Sequence, residues 1–187
     1  MAVHRTETVR FARGRSPTGG ATCAGEVVTV PVSVVAVAEF DSPVREQIAA
    51  LKYGRDRRIA ASLGDRVADL VPADVEVVSW IPTAPSRVRE RGFDQSELVA
   101  RRAARRAARR CRRLLRRLDD TRQTGGDSTA RRAGPRLVAS PACRGRSVVL
   151  VDDVVTTGAT VRAASAAVLA AGAARVVCLC VATVPRR

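Results

Sequence analysis

The chain has 187 residues, of which 46% are hydrophobic and 27% charged, the proportions of one folded domain and not of a disordered, collagen-like or coiled-coil chain. Aromatic residues make up only 3%, so the core has to be built from Val, Ala and Leu, and a stacking platform for single-stranded nucleic acid, which needs several exposed rings, is disfavoured. The net charge is +15, but Lys52 is the only lysine among 33 basic residues, and ten arginines crowd the acid-free stretch 101–117, so the excess is local and partly a matter of arginine-biased composition.

Five cysteines (23, 111, 143, 178 and 180) stand at scattered spacings with no CxxC, and His4 is the only histidine. Neither a disulfide framework nor a structural zinc site is expected, and reduced thiols fit a cytoplasmic location. Cys178 and Cys180, two apart in a β-like run, share one face of a strand and read as small core residues. No continuous apolar run of a secretory signal occurs in the first 25 residues. The stretch 163–184 carries a single charge, Arg175, but Gly172 and Arg175 interrupt its middle. A central Arg costs about 2.5–3.5 kcal/mol in a bilayer, so this stretch reads as helix, turn and strand, with no membrane span.

In chain order, residues 1–25 read as a flexible N-terminal segment and 26–187 as the folded domain, residues 12–25 being rich in Gly. Residues 27–38 are Val-rich and predict a strand. Ser42 offers a helix cap with Pro43 in the first turn, predicting a helix through Leu51, followed by a second over 57–70. Residues 75–81 read as a strand, and Pro82 and Pro85 open a loop that runs to Gly92. Asp94 then caps a helix through Leu98 into the Ala/Arg tract, where Leu98, Ala103, Ala107 and Cys111 recur at helical spacing. Leu114 and Leu115 either prolong that helix or begin a strand, and 119–140 reads as a long loop. A short apolar strand over 147–151, a helix from about 160 to 171 stopped by Gly172, and a strand over 175–183 complete the chain. Strands alternating with helices, themselves near-continuously apolar, predict an α/β fold with a parallel sheet covered on both faces.

The chemistry concentrates in residues 148–160, VVLVDDVVTTGAT. A buried strand ends in two carboxylates, and a loop of small hydroxyl residues and glycine then opens a helix. Such a loop presents unpaired backbone N–H groups and the positive end of a helix dipole, which together hold a phosphate. Two acids just upstream would repel that phosphate, so their use lies elsewhere, on sugar hydroxyls or a divalent cation. The combination describes a sugar phosphate. The plain alternative is a capped strand end followed by an ordinary Ser/Thr turn, and the spacing alone leaves both open. No Walker loop is present.

Residues 148–160 resemble the phosphoribosyl pyrophosphate (PRPP) signature of type I phosphoribosyltransferases. Trp80-Ile81-Pro82 followed by Arg87, Arg89, Glu90, Arg91, Gly92, Phe93, Asp94 and Gln95 resembles a motif of the ComF family, and so does Leu51-Lys52-Tyr53-Gly54. The resemblance, over about residues 35–184, implies a type I phosphoribosyltransferase fold, a parallel sheet flanked by helices with a small hood and a flexible loop. It further implies that Asp152 and Asp153 contact the ribose hydroxyls, that Thr156, Thr157, Gly158, Ala159 and Thr160 bind the 5′-phosphate, and that Pro82, Thr83 and Ala84 form the pyrophosphate loop. Residues 121–136 correspond to the flexible hood loop. Mg²⁺, held largely by substrate oxygens, is the implied cofactor, and no zinc is expected. Lys52, Arg131 and Arg132 are candidates for stabilising the leaving charge, and no residue is assigned as catalytic. The pattern departs from the family at Ala84 (usually His), Asp94 (usually Asn) and Gly134 (usually Asn), and the N-terminal zinc ribbon usual in the family is missing.

The expectation is therefore a cytoplasmic, ComF-like protein that binds PRPP or another phosphoribosyl ligand with Mg²⁺ and transfers the phosphoribosyl group to an unknown acceptor. The alternative is a non-catalytic nucleotide- or PRPP-binding protein whose arginine surface (Arg101, Arg102, Arg105, Arg106, Arg109, Arg110) meets DNA in uptake or recombination, competence being a property linked to the family. Glu97 is the only acid near that stretch in sequence, so its self-repulsion looks largely unrelieved.

Overall fold

The computed structural model describes residues 2–12, 27–53, 57–119 and 134–185, the side chains of residues 42 and 57 excepted. Its elements in order are β1 (Val3–Ala12), β2 (Val27–Glu39), α1 (Ser42–Tyr53), α2 (Arg57–Ala68), β3 (Val77–Trp80), α3 (Pro85–Arg91) and α4 (Gln95–Arg106). They continue with β4 (Arg110–Cys111), β5 (Leu115–Arg117), β6 (Leu137–Ala139), a 3₁₀ turn (Pro141–Cys143), β7 (Ser147–Val155), α5 (Ala159–Ala170) and β8 (Arg175–Thr183).

Six strands form one sheet in the order β1-β2-β8-β7-β3-β4. Every neighbouring pair is parallel except β1 with β2. The central strands β7 and β8 are apolar over most of their length because both faces are covered. Val149 and Val151 of β7 and Val177, Leu179 and Val181 of β8 pack into a core with α1, α2 and α4. The alternate residues Val148, Leu150, Cys178 and Cys180 pack into a second core under α5, together with Val9, Phe11, Leu114 and Leu115. Cys178 is buried, its Sγ 3.3 Å from Ser165 Oγ, and burial pushes its thiol up to about 12, so it packs as an unreactive small side chain. Among the described residues no helix is long and apolar enough to cross a membrane. β5 and β6 make a separate antiparallel pair, tied to the main sheet where the Leu114 amide donates to Ser79 Oγ at 3.1 Å.

Four local expectations differ from the structure. Residues 85–91, expected as loop, form helix α3, with Pro85 in its first turn and Gly92 closing it at φ +83°. The arginine-rich helix ends at Arg106, and Ala108 at φ +53° turns the chain into β4, so Cys111 lies on a strand and not on the helix. The buried row of α4 is Ser96, Val99, Ala100, Ala103 and Ala104, with Leu98 only flanking it. Finally, residues 3–12, assigned from the sequence to the flexible segment, pair along their whole length with β2. Their inward row is Val3, Arg5, Glu7, Val9 and Phe11, and the two charged residues interrupt the apolar alternation that would mark a strand.

The close approach of α2 to α4 depends on Gly64. A Cβ there would meet Arg102 Cβ at 2.5 Å and the Val99 carbonyl at 3.0 Å.

Candidate functional site

Ligands of open parallel sheets bind beyond the carboxyl ends of the strands, and three segments converge there. From β7 come Asp152 and Asp153, which lie within the strand and not just past it, since pairing with β8 runs on to Val155. Each carboxylate turns back onto the next backbone amide, Asp152 Oδ1 accepting from Asp153 at 2.9 Å and Asp153 Oδ1 from Val154 at 2.6 Å. Lys52, in the last turn of α1, reaches Asp153 Oδ2 at 2.6 Å. Ser96 of α4 donates its hydroxyl to Asp152 Oδ1 at 3.3 Å.

The loop after β3 supplies the opposite wall. Its Ile81 amide bonds the Val151 carbonyl at 2.9 Å, continuing the β3–β7 ladder. Asp94 then fastens the loop to α4. Its carboxylate accepts from the Thr83 amide at 2.9 Å and the Thr83 hydroxyl at 3.1 Å, and caps the helix by accepting from the Ser96 and Glu97 amides. Burial pushes the Asp94 carboxyl up, against the pull of the bonds from Thr83 and Glu97.

These walls enclose a cavity of about 230 Å³ lined by Lys52, Pro82, Thr83, Ala84, Asp152, Asp153 and Thr160. Next to it, a hollow of about 20 Å³, room for one small group, is bounded by Asp152 and residues 156–160. The loop turns at Gly158, which caps α5 at φ +78°. The structure thus brings together Lys52, the 82–84 loop, the acid pair and the 156–160 loop. Arg131 and Arg132 lie outside the described residues.

Three further cations line the same cavity: Arg87 and Arg91 from α3, and Arg117 from β5. Arg87 and Arg91 stand four apart on one helical face, a signal hidden when 85–92 is read as a loop. Arg117 belongs to the arginine stretch by sequence but to this cavity by position, because β5 turns away from α4. Ser96, which the sequence reading did not name, reaches Asp152 from the first turn of a helix 56 residues earlier.

Burial and the neighbouring charge of Asp153 both push the Asp152 carboxyl well up from the carboxylate range, outweighing Lys52 and Ser96. The folded state therefore holds a proton here that the unfolded chain releases near pH 4, and this group's contribution to stability is lost as pH rises through its native pKa. Asp152→Asn is expected to raise the melting temperature of the ligand-free protein at pH 8 by about 2–4 °C, and to have little effect at pH 4, in thermal melts across that range.

The arginine surface has partners that sequence proximity did not reveal. Arg102 makes a two-pronged contact with Asp65 of α2, both bonds 2.7 Å, and Arg106 lies 3.7 Å from Asp65 and 3.3 Å from Asp69. Arg101 pairs with Glu97 at 2.7 Å and covers the Trp80 ring at 5.5 Å. Arg109 donates to the Ala73 carbonyl at 2.8 Å. Much of the charge of Arg101, Arg102 and Arg106 is thus met by acids of the same fold, which corrects the expectation of unrelieved repulsion. Arg105 and Arg110 are exposed. None of the six lines the cavity.

The family model described as phosphoribosyl transferase domain matches residues 98–187. No curated protein matches the chain. Similar solved structures include the allosteric regulatory enzyme of purine biosynthesis, 21% identical with a TM-score of 0.47. Another is the glutamine PRPP amidotransferase from B. subtilis complexed with ADP and GMP, 22% identical with a TM-score of 0.46. Each similarity covers 65% of this chain and 25% of the other, so the chain spans about a quarter of the length of those proteins. The matched residues 98–187 contain β7, the acid pair, the 156–160 loop, α5 and β8, whereas Lys52 and the 82–84 loop lie outside them. The mixed α/β architecture, a mostly parallel sheet flanked by helices with this strand-loop-helix at its centre, is the type I phosphoribosyltransferase fold.

Proposed function

We propose that the chain binds PRPP in this cavity and transfers its phosphoribosyl group to an acceptor, as a ComF-like member of the phosphoribosyltransferases. The observation that carries the reading is the juxtaposition of a carboxylate pair with two separate anion-binding features. Residues 156–160 suit the 5′-phosphate, Asp152 and Asp153 the ribose hydroxyls, and the 82–84 loop with Lys52, Arg87 and Arg91 the pyrophosphate. The ComF assignment draws support from its motifs meeting at one place: Lys52, Pro82 and Arg91 line one cavity, and Asp94 holds its loop.

The donor set suits Mg²⁺ held mainly by substrate oxygens. Among the described residues no three ligating side chains cluster, yet two carboxylates face one cavity with their mutual repulsion only partly met by Lys52. Asp152 and Asp153 are the residues that would hold the ion, and it would offset charge on the pyrophosphate. The chain's own contribution is positioning and electrostatics. Asp153 and Lys52 orient each other, and Asp152, steered by Ser96, is set to accept from a sugar hydroxyl. Lys52, Arg87 and Arg91 meet the negative charge that grows on pyrophosphate as its bond to the ribose breaks.

Isothermal titration of PRPP with and without Mg²⁺, on wild type and on Asp152→Asn/Asp153→Asn, tests the reading without knowledge of the acceptor. Mg²⁺-dependent binding that weakens at least about ten-fold in the double variant is the expected result. A folded wild type that binds no PRPP would sink it.

A further inference from the structure

We infer that Arg5, Glu7 and Arg162 are positioning residues that aim the backbone amides of the 156–160 loop at the phosphate, an inference that rests on the function proposed above. Glu7 projects from β1 into the protein and is only 3% exposed, a carboxylate buried 151 residues away in sequence from the loop it underlies. Arg5 Nε donates to Glu7 Oε1 at 2.6 Å, and Arg162 Nη1, from α5, donates to Oε2 at 2.7 Å. Both guanidinium groups also hold the loop. Arg5 Nη1 donates to the Thr156 carbonyl at 3.1 Å and to Thr183 Oγ1 at 3.3 Å, and Arg162 Nη1 donates to the Thr157 carbonyl at 3.0 Å.

The consequence follows from peptide geometry. In a trans peptide the C=O and the next N–H point in opposite directions across one plane, and no described peptide is cis. Holding the Thr156 carbonyl on the β1 side turns the Thr157 amide away from it, and holding the Thr157 carbonyl does the same for the Gly158 amide. The two carbonyls that would repel an anion are thereby drawn to arginines, and two donors are left to face it.

Glu7 has a separate part. A carboxylate this close to an anion site would work against binding, but both its oxygens are engaged by guanidinium groups. It fixes both arginines, which otherwise have long, freely rotating side chains. Gly158 makes the arrangement sterically feasible, since a Cβ there would sit 2.5 Å from Glu7 Oε1 and 2.8 Å from Arg5 Nη2. The antiparallel strand at the sheet edge is in this sense part of the phosphate site.

The test separates the two ends of the cavity. Ribose 5-phosphate and inorganic pyrophosphate are titrated separately, by calorimetry, into the whole chain as wild type, Glu7→Gln and Arg162→Lys. The expected result is a loss of about ten-fold in ribose 5-phosphate affinity in both variants, with pyrophosphate affinity within two-fold of wild type. Equal weakening toward both probes would mean general loss of structure, and would overturn the inference. So would an unchanged ribose 5-phosphate affinity in folded Glu7→Gln, which leaves the proposed function standing. Wild type that binds neither probe removes the proposed function and this inference with it. If the variants do not fold, amide NMR of the wild type decides: ribose 5-phosphate is expected to shift the Thr157 and Gly158 amide resonances, and unmoved resonances overturn the inference.

Discussion

Replacing Gly158 by alanine is expected to destabilise the protein by about 3–5 kcal/mol and to abolish binding of a phosphorylated ligand. Two costs act together. The residue adopts φ +78°, which a Cβ disfavours by about 1–2 kcal/mol. The new methyl would also occupy space held by Glu7, 2.5 Å from Oε1 and 2.7 Å from Cδ. A carboxylate at the end of a flexible side chain usually swings aside cheaply, but Glu7 is buried and anchored by Arg5 and Arg162, so moving it breaks a buried ion pair. Chemical denaturation gives the stability and calorimetry with ribose 5-phosphate the binding. A variant that unfolds with wild-type stability would show that the Glu7 carboxylate is free to move.

Asp94→Ala is expected to cost about 2–4 kcal/mol, because one carboxylate serves two elements. Losing the cap of α4 costs about 0.5–2 kcal/mol. Leaving the Thr83 amide without its acceptor adds about 1–3 kcal/mol. The effect on ligand binding should be selective. With Thr83 released, the 82–84 loop no longer holds one conformation, so pyrophosphate affinity falls, whereas the 156–160 loop, held from β1 and α5, keeps its affinity for ribose 5-phosphate. Asp94→Asn, which keeps the acceptor oxygen, is expected to recover most of the stability. Equal losses in Asp94→Ala and Asp94→Asn would point to the charge, and not the hydrogen bonds, as what matters.

These two residues also mark how far the site could be read from the chain. Asp94 was visible as a cap from its place before a helical run, but its second task, holding Thr83 eleven residues earlier, was not. Gly158 was legible as the turn that opens a helix, because a left-handed turn at a helix start is written in a few adjacent residues. Lys52 and Pro82 entered through family resemblance, and their meeting with Asp153 in one cavity came only with the fold. Arg87 and Arg91 were quoted only within a family motif and given no place in the site, for a local reason: two prolines read as a loop, while Pro85 in fact starts a helix whose four-residue spacing aligns the two guanidinium groups on one face. β1 was missed because charged residues stand on its inward row, where an apolar pattern would have been recognised.

By itself the sequence determined the pieces whose causes are contiguous. The apolar strands β7 and β8, the glycine-turned loop between β7 and α5, the cap of α4 and the alternation of strands and helices all rest on backbone preferences and burial acting over a few residues. Only the tertiary structure decided which charges meet. Glu7 finds Arg162 155 residues away, and Arg102 finds Asp65 37 residues away. An ion pair needs its partners within about 4 Å, and that distance depends on strand order, register and helix approach, which no local propensity encodes. The arginines that looked unopposed along the chain are for this reason partly neutralised in the fold, and an N-terminal acid with no evident task lies beneath the 156–160 loop.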